Sequence, residues 1–336
     1  MNFQLFISKK LKQNLMLKSF KPIIVVAGEP KSVFLELYIK NFDRFKKCPL
    51  ILIASQKLII DQMKLLQIKK NINIIDVKKI NYKNLNNKKI NLINIDLIYK
   101  SLDKIKVRDA NNYIKKSFET AIFLLKKNKK LNLINGPIIK KDFLKNKYLG
   151  ITEYLGSKYN QLNNIVMLIY NKKHSVSPIT THVPLKKVSK LITKKKIINH
   201  VQLIHKFYKK RLKKSPHFAV TGLNPHCESN FGINEEDQII KPAIKFLSKK
   251  KYNVSGPYPA DTIFLKKNLK KFDVIIGMYH DQVLTPIKSL YEFDAINITL
   301  GLPFIRISPD HGPNLSMFGK NKSNSKSLIR SIEFFN

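Results

Sequence analysis

The sequence predicts an α/β protein with a largely parallel or mixed sheet. Short apolar runs rich in β-branched residues alternate with segments of helical period along most of the 336 residues. Strands that alternate with helices in this way build sheets that the helices cover. The length is sufficient to bury a full core, either as two domains or as one large α/β unit.

The first half of the chain supplies these elements in alternation. PIIVVA and PLILIAS each predict a strand, because both are continuous apolar runs of strand length. In chain order, the predicted elements are a strand at 22–27, a helix near 33–46, a strand at 49–55, a helix near 56–66, a strand at 71–76, a helix at 107–127 and a strand at 131–136. Residues 77–105 are rich in Asn and Lys and leave their elements undefined.

The second half continues the alternation. The predicted elements are strands at 163–170 and 176–182, strand-then-loop segments at 217–225 and 272–282, two strands within 295–308, and helices at 195–214 and 234–250. In sheets of this kind, ligands bind beyond the carboxyl ends of the strands. The loops that follow these strands are therefore where a site is expected.

The chain is strongly basic, with 63 Lys and Arg against 22 Asp and Glu and a net charge of +41. A nucleic-acid-binding protein usually concentrates such charge in one stripe or tail. Here the lysine runs are spread along the chain and accompany many Asn and Ile residues, which is typical of A/T-rich coding sequence. We therefore predict no specific nucleic-acid partner.

Cysteine usage and hydropathy indicate the compartment. Cys48 and Cys227 are the two cysteines and do not make a disulfide framework, which favours the reducing cytoplasm. No apolar run reaches the roughly 18 residues of a membrane helix, so no membrane association is expected. The basic, amphipathic segment 1–21 lacks the long apolar core of a secretory signal.

Three of the eight histidines stand at or just after a predicted strand end: His182 in TTHVPL, His226 in TGLNPH and His280 in GMYHDQ. A single histidine in such a position more often has a structural role, but three in the same topological position favour one site. Three imidazoles can bind a divalent metal and leave a position for a substrate. The spacing alone is a weak signal, because no local HxH or HxxxH pair is present.

Two carboxylates near these segments are candidates for chemistry. Asp281 follows His280 directly, and Asp261 lies in PYPADT. Either could accept a proton or orient an imidazole. An Asx turn or a helix cap is the structural alternative for each.

Lys288, Asn297 and Arg306 could clamp a phosphate or a carboxylate. Arg306 is the strongest of the three, because it interrupts the apolar strand LPFIRIS, where an unpaired charge would be costly. The chain contains neither GxGxxG nor the P-loop pattern, so a nucleotide would have to be held in another way.

The motifs GLNPH, PYPADT, MYHDQ, NITLGLPFIR and DHG, in this order, resemble those of the 4-hydroxythreonine-4-phosphate dehydrogenase family of vitamin B6 biosynthesis. The similarity extends from about residue 22 to the C-terminus and is strongest over 217–312. The resemblance implies a two-domain isocitrate/isopropylmalate dehydrogenase-like α/β fold with a cleft between the domains. The first domain would be formed by 20–135 plus about 297–336, and the second by 136–296.

The resemblance also implies the reaction and its participants. NAD or NADP would oxidise 4-phosphooxy-L-threonine, and the 3-keto acid product would lose CO2 to give 3-amino-2-oxopropyl phosphate. A homodimer would build each site from both subunits, with one divalent metal (Zn, Co or Mg) per subunit. The implied metal ligands are His182, His226 and His280. The implied substrate-binding residues are Thr152, Lys288, Asn297 and Arg306.

The chain departs from the family pattern in several places. Where the family has Gly-His-Thr-Glu, this chain has GITE at 150–153, so Ile151 replaces a histidine that contacts the substrate. Glycines that follow Gly-Glu-Pro and GLNPH in the family are also replaced, and losing a glycine can narrow a site where backbone approaches a ligand. The three histidines and the C-terminal cations are retained, which favours an active enzyme.

Two other functions stay open at this point. A paralogue could oxidise another phosphorylated hydroxy acid, and Ile151 is the residue that leaves this open. A degenerate protein could instead adhere to RNA through its charge. That protein would bind RNA in a salt-sensitive manner, without metal or turnover.

Overall fold

The structure is a computed structural model that describes residues 22–336 except 46, 83, 145–146, 149, 229–231 and 233. The basic segment 1–21 therefore lies outside the described residues. Across the described ranges, every helix is too short or too polar to span a membrane. The described residues form two compact units, which lie within Met1–Asn146 plus Pro303–Asn336 and within Lys147–Leu302.

Strands and helices alternate along the described chain. The strands are β1 (Ile23–Val26), β2 (Leu50–Ala54), β3 (Ile72–Ile74), β4 (Ile90–Asn94), β5 (Asn132–Asn135), β6 (Val166–Tyr170), β7 (Ser175–Thr180), β8 (Phe218–Thr221), β9 (Val254–Tyr258), β10 (Val274–Tyr279), β11 (Ile296–Leu300) and β12 (Arg306–Pro309). The α-helices are α1 (Phe34–Asn41), α2 (Gln56–Leu65), α3 (Val107–Lys127), α4 (Lys140–Leu144), α5 (Ile151–Lys158), α6 (Val188–Leu191), α7 (Lys194–Phe207), α8 (Lys241–Lys249), α9 (Lys266–Leu269), α10 (His280–Tyr291) and α11 (Lys326–Glu333). The predicted α/β class is confirmed.

In the first unit, the described strands pair in parallel in the order β3-β4-β2-β1-β5-β12. The runs IIVV of β1 and LILIA of β2 are buried along their whole length, as expected for parallel strands covered on both faces. β12 comes from the end of the chain and places Arg306 opposite Leu133 of β5. The parallel order brings the carboxyl ends of these strands to one edge.

In the second unit, the order is β11-β6-β7-β10-β8-β9. The pairs β11–β6 and β6–β7 are antiparallel, whereas β7, β10, β8 and β9 pair in parallel. The sheet of this unit is therefore mixed. A buried cluster that includes Ile169, Val176, Ile275 and Val283 joins its strands to α10.

Two strands of the structure are not predicted from the sequence, and one segment predicted to be a loop is a helix. β4 lies in the Asn-rich segment 77–105, where INLIN is nevertheless buried between β3 and β2. β9 has the sequence VSGPY, and Gly and Pro both lower strand propensity. The GMYHDQ segment is expected to enter a loop after its strand, but α10 begins directly at His280.

His200, on α7, is a buried histidine without a catalytic assignment. Its side chain is 6% exposed, and its Nδ1 lies 2.9 Å from the carbonyl oxygen of Lys196. Burial lowers the pKa of His200 to about 4. The folded state therefore accommodates the neutral imidazole and resists its protonation.

We expect acid to destabilise the protein through His200. An unfolded histidine titrates near 6.5, so between that pH and about 4 the unfolded state binds the proton first. The free energy of unfolding falls as the pH is lowered through this window, by on the order of 3 kcal/mol in total. Urea denaturation of wild type and His200→Gln at about pH 7 and about pH 5 measures the effect. An equal loss of stability in both proteins would show that another group is responsible.

Candidate functional site

Three adjacent parallel strands of the second unit, β7, β10 and β8, end at the same edge of their sheet. His182 follows β7 by two residues, and His280 follows β10 directly. His226 follows β8 within the 3-10 turn Pro225–Cys227. The structure thus places all three candidate metal histidines at the edge where α/β sheets bind ligands.

His182 and His280 lie close together. Their ring centroids are 5.7 Å apart, and the ring planes are inclined by 39°. His182 has a left-handed φ of +47°, which turns the chain after β7. Two imidazoles that share one ion at bond lengths of about 2.0–2.1 Å have centroids roughly 5–6 Å apart. The pair therefore fits two neighbouring positions around a metal.

Asp281 orients the imidazole of His280. Its Oδ1 lies 2.6 Å from Nδ1 of His280, and its side chain is 79% exposed. When Nδ1 carries the proton, it donates to this carboxylate and leaves Nε2 with a lone pair for a metal. Carboxylates that bind a ligating histidine in this way fix its tautomer and raise its basicity.

A cavity of about 280 Å³ opens beside the two histidines. Its lining residues are Thr180, His182, Val183, Leu185, Val188, Tyr279, His280 and Asp281. The start of α5 reaches the same place, since a Cβ atom added at Gly150 would lie 3.8 Å from Cε1 of His182 and 3.0 Å from Oε2 of Glu153. The GITE segment singled out in the sequence therefore lies next to His182.

Glu153 is a polar residue at this site that is not among the site residues predicted from the sequence. Its Oε2 is buried and has no hydrogen-bond partner among the described residues. Thr152 is half-buried in the first turn of α5, and Ile151 is 6% exposed. Ile151 thus packs into the protein, and Glu153 brings a carboxylate close to His182. An acidic residue in the first helical turn after a glycine is the sequence signal that could have identified it.

His226 lies in a strained turn. His226 has a φ of +56° and Cys227 a φ of +62°, and this left-handed conformation costs about 1–2 kcal/mol for a residue with a Cβ atom. The buried carboxylate of Glu236 holds the preceding backbone. It accepts hydrogen bonds from the N–H groups of Leu223 at 2.7 Å and Asn224 at 2.8 Å.

Asp261 lies near enough to Cys227, the residue after His226, to affect its thiol electrostatically. Asp261 is exposed in the turn that follows β9. Burial, and to a smaller extent the nearby carboxylates of Glu236 and Asp261, raise the pKa of the Cys227 thiol. Each of the two histidine-bearing segments therefore has one candidate carboxylate in its neighbourhood.

The three histidines do not come together as one group of metal ligands in the described part of a single chain. Within the part of the chain that the structure describes, no group of three or more His, Cys, Asp or Glu side chains is arranged to hold a metal ion. His182 and His280 fit two ligand positions, and His226 does not join them.

Lys288 and Asn297 lie in the same unit as the histidines. Lys288 is exposed on α10, eight residues and therefore about 12 Å beyond His280. Asn297 lies on β11 opposite Ile169 of β6. Its Oδ1 is buried and has no hydrogen-bond partner among the described residues.

Arg306 lies on β12 of the first unit. It is 4% exposed, and its Nε donates to Oδ1 of Asn135 at 2.7 Å. A guanidinium group is retained in such a buried position only with polar or anionic partners. The same unit contains a cavity of about 480 Å³ at the carboxyl ends of β2 and β4, within the usual size range of cofactor sites.

Gly277 allows α10 to fold back closely onto β10. A Cβ atom at this position would lie 2.4 Å from Cγ1 of Val283 and 3.1 Å from Oε1 of Gln282. These two residues belong to the first turn of the helix that begins at His280. The absence of a side chain at Gly277 therefore sets the position of His280.

The substitution Gly277→Ala is expected to push the start of α10 away from β10. Overpacking of this kind lowers the free energy of unfolding by about 1–3 kcal/mol. Urea denaturation measures the change, and Gly312→Ala is the matched control, because a Cβ atom there has no neighbour within 4 Å. Equal stability of Gly277→Ala and the wild type would show that α10 has room to move.

The fold places paired imidazoles at the carboxyl edge of parallel strands, which is the position of ligand sites in α/β enzymes. The family model of the pyridoxal phosphate biosynthetic protein PdxA matches residues 46–335. The chain belongs to this family, and the resemblance that its motifs carry is confirmed.

Two relatives show how the similarity is distributed. A 4-hydroxythreonine-4-phosphate dehydrogenase from Aquifex aeolicus is 32% identical over 320 residues, which cover 93% of this chain and 96% of the relative. A relative of the same name from Sulfurihydrogenibium sp. (strain YO3AOP1) is 45% identical over 188 residues, 55% of this chain. In that comparison the chain spans little more than half of the relative's own length, 58%.

Solved structures share the fold. A crystal structure of a 4-hydroxythreonine-4-phosphate dehydrogenase from Klebsiella pneumoniae has a TM-score of 0.79 and 27% identity, covering 94% of this chain and 98% of that one. A terephthalate 1,2-cis-dihydrodiol dehydrogenase from Burkholderia xenovorans LB400 has a TM-score of 0.62 at 15% identity, covering 94% of this chain and 97% of that one. The second likeness concerns the fold alone.

Proposed function

We propose that this protein is an active 4-hydroxythreonine-4-phosphate dehydrogenase that uses NAD or NADP and a divalent metal. It oxidises 4-phosphooxy-L-threonine, and the resulting 3-keto acid loses CO2 to give 3-amino-2-oxopropyl phosphate. The observation that carries the proposal is the His182–His280 pair, 5.7 Å between ring centroids, in a chain whose family is named for pyridoxal phosphate biosynthesis. Cys48 and Cys227 form no disulfide among the described residues, and thiols that stay reduced support the proposal of a cytoplasmic location.

His182 and His280 of one subunit and His226 of a second copy would hold one divalent ion per subunit of a homodimer. The support is that two histidines fit neighbouring ligand positions while the third lies outside their group. Imidazole ligands favour zinc or cobalt, and substrate oxygens could also admit magnesium. When bound, the ion supplies positive charge beside the substrate oxygens, and NAD or NADP supplies the hydride acceptor.

The chain itself must accept the proton of the substrate hydroxyl. Asp281 already accepts a hydrogen bond from His280, so its role is to orient that imidazole. Asp261 is exposed and lies in the neighbourhood of Cys227, next to His226 in the sequence. We therefore assign proton acceptance to Asp261, which would enter the site together with His226.

The phosphate and the rest of the substrate need donors and cations that do not react. The guanidinium of Arg306 can bind phosphate oxygens through a planar pair of N–H groups, and Lys288 can add a point charge. Fixing the phosphate in this way would restrict the orientation of the substrate. The residues that we assign to substrate binding are Thr152, Lys288, Asn297 and Arg306.

A second candidate function is oxidation of another phosphorylated hydroxy acid. Ile151 is apolar and buried where the family pattern has a histidine, so a polar contact to substrate is lost. A relative from Oceanobacillus iheyensis, provisionally named D-threonate 4-phosphate dehydrogenase, is 37% identical over 187 residues. D-Threonate 4-phosphate has a hydroxyl group where phosphooxythreonine has its amino group.

Parallel assays of NADH formation with the two substrates test the proposal. We expect kcat/KM for 4-phosphooxy-L-threonine to exceed that for D-threonate 4-phosphate by at least about tenfold, equivalent to roughly 1.4 kcal/mol. The reverse order would favour the second candidate. A folded protein that binds no metal and turns over neither substrate would be the degenerate basic protein.

A further inference from the structure

We propose that Gln282 is a positioning residue, which fixes the strand ends from which His182, His226 and His280 extend. The inference deepens the proposed function and rests on it. Gln282 is 9% exposed and stands two residues after His280 in the first turn of α10. Its side chain forms hydrogen bonds with both β10 and β8 near their carboxyl ends.

The backbone pairing of β10 with β8 ends before the histidines are reached. Its register runs from Val274 opposite Phe218 to Ile276 opposite Val220. Beyond that point, the side-chain amide of Gln282 connects the two strands. Its Oε1 accepts hydrogen bonds from the Met278 N–H at 2.7 Å and from the Thr221 hydroxyl at 2.8 Å.

The other end of the same amide binds the loop that leads to His226. Nε2 of Gln282 donates to the carbonyl oxygen of Gly222 at 2.9 Å. The next two N–H groups, of Leu223 and Asn224, are held by Glu236. The backbone of the GLN segment is therefore fixed from two sides directly before the strained turn that contains His226.

The third strand joins the network through Thr180. The hydroxyl of Thr180, the last residue of β7, donates to the carbonyl oxygen of Met278 at 2.8 Å. Met278 thus binds Thr180 through its carbonyl oxygen and Gln282 through its N–H group. One buried network of hydrogen bonds therefore connects the strand ends that precede His182, His226 and His280.

The amide of Gln282 meets three requirements at this position. The site needs an acceptor for two donors and, on the same group, a donor for a carbonyl oxygen. A carboxylate would face the Gly222 carbonyl oxygen without a proton, and an apolar side chain would leave Met278 N–H and Gly222 O unsatisfied. Such unsatisfied buried groups cost more than an average hydrogen bond contributes, so the backbone would shift.

The test compares two isosteric substitutions of buried glutamines, Gln282→Met and Gln62→Met. Gln62, on α2 of the first unit, is fully buried, and its side-chain oxygen and nitrogen have no partner among the described residues. Titration with Co²⁺, followed by its visible absorption, is expected to show affinity reduced at least about tenfold in Gln282→Met. Gln62→Met is expected to bind Co²⁺ like the wild type.

A metal-free measurement separates this inference from the proposed function. In protein with ¹³C-labelled histidine rings, a nuclear Overhauser effect is expected between the His182 and His280 rings, whose centroids are 5.7 Å apart. The effect is expected to be lost or weakened in Gln282→Met and kept in Gln62→Met. If the wild type binds no Co²⁺, the proposed metal function fails, but this ring contact still decides the role of Gln282.

A smaller change keeps the inference testable if Gln282→Met does not fold. Thr221→Val removes one hydrogen bond to Gln282 and keeps the shape of the side chain. It is expected to weaken Co²⁺ binding less than Gln282→Met but measurably more than Gln62→Met. Folded Gln282→Met or Thr221→Val proteins that keep the wild-type affinity and ring contact would overturn the assignment.

Discussion

The substitution His280→Ala is expected to lower the affinity for Zn²⁺ by at least about 100-fold and to reduce NADH formation to background. The expected loss exceeds the roughly 10- to 100-fold that is typical of residues that only support a ligand. His280 pairs with His182 and is oriented by Asp281, so the change removes one ligand and leaves a carboxylate without its partner. Competition with a chromogenic chelator measures the affinity directly.

The matched control for this prediction is His174→Ala. His174 lies at the amino end of β7, the strand whose carboxyl end leads to His182, and its Nδ1 binds the hydroxyl of Tyr291. The control removes an imidazole from the same sheet but at the opposite edge, so zinc affinity should not change. Equal losses in the two variants, or wild-type affinity in His280→Ala, would contradict the assignment of His280 as a ligand.

The substitution Arg306→Met is expected to raise KM for the phosphorylated substrate about 10- to 100-fold and to lower the free energy of unfolding by about 1–3 kcal/mol. A hydrogen bond to a charged group contributes roughly 1.5–3 kcal/mol, which corresponds to this rise in KM. Stability should also fall, because Arg306 donates its Nε–H to Oδ1 of Asn135, which is 1% exposed and loses this donor in the variant. Steady-state kinetics together with thermal unfolding separate the two effects.

Arg330→Met is the control for Arg306→Met. Arg330 lies on α11 of the same unit and forms an exposed pair with Glu333 at 3.0 Å. Exposed pairs of this kind contribute about 0–1 kcal/mol, so the control should change neither KM nor stability appreciably. A wild-type KM in Arg306→Met would show that the buried guanidinium serves the first unit's structure and not the substrate.

Much of the fold follows from local pattern. The helix predicted at 107–127 has those bounds in the structure, because the helical period runs through 21 residues without interruption. The apolar runs that predict β1 and β2 are buried throughout. β4 and β9 escape prediction because their sequences are unfavourable for strands, and only their neighbours in the sheet hold them extended.

The site is only partly visible in the sequence. The position of His182 and His280 after strand ends predicts that they meet, since parallel strands share one carboxyl edge. The role of Gln282 is not visible, because its hydrogen-bond partners come from β10, β8 and the loop after β8, and β8 is far from Gln282 in the chain. The backbone directly before the left-handed turn at His226 is held by the buried carboxylate of Glu236, which is likewise distant in the sequence.

The most direct test measures, by absorbance, the NADH formed from 4-phosphooxy-L-threonine. The assay compares wild type with His226→Ala, each with and without added divalent metal. We predict turnover by the wild type that depends on metal and disappears in His226→Ala. That result would also show that Ile151 is tolerated in place of the family's histidine. A folded, metal-loaded wild type without turnover, or unchanged turnover in His226→Ala, would contradict the proposed function.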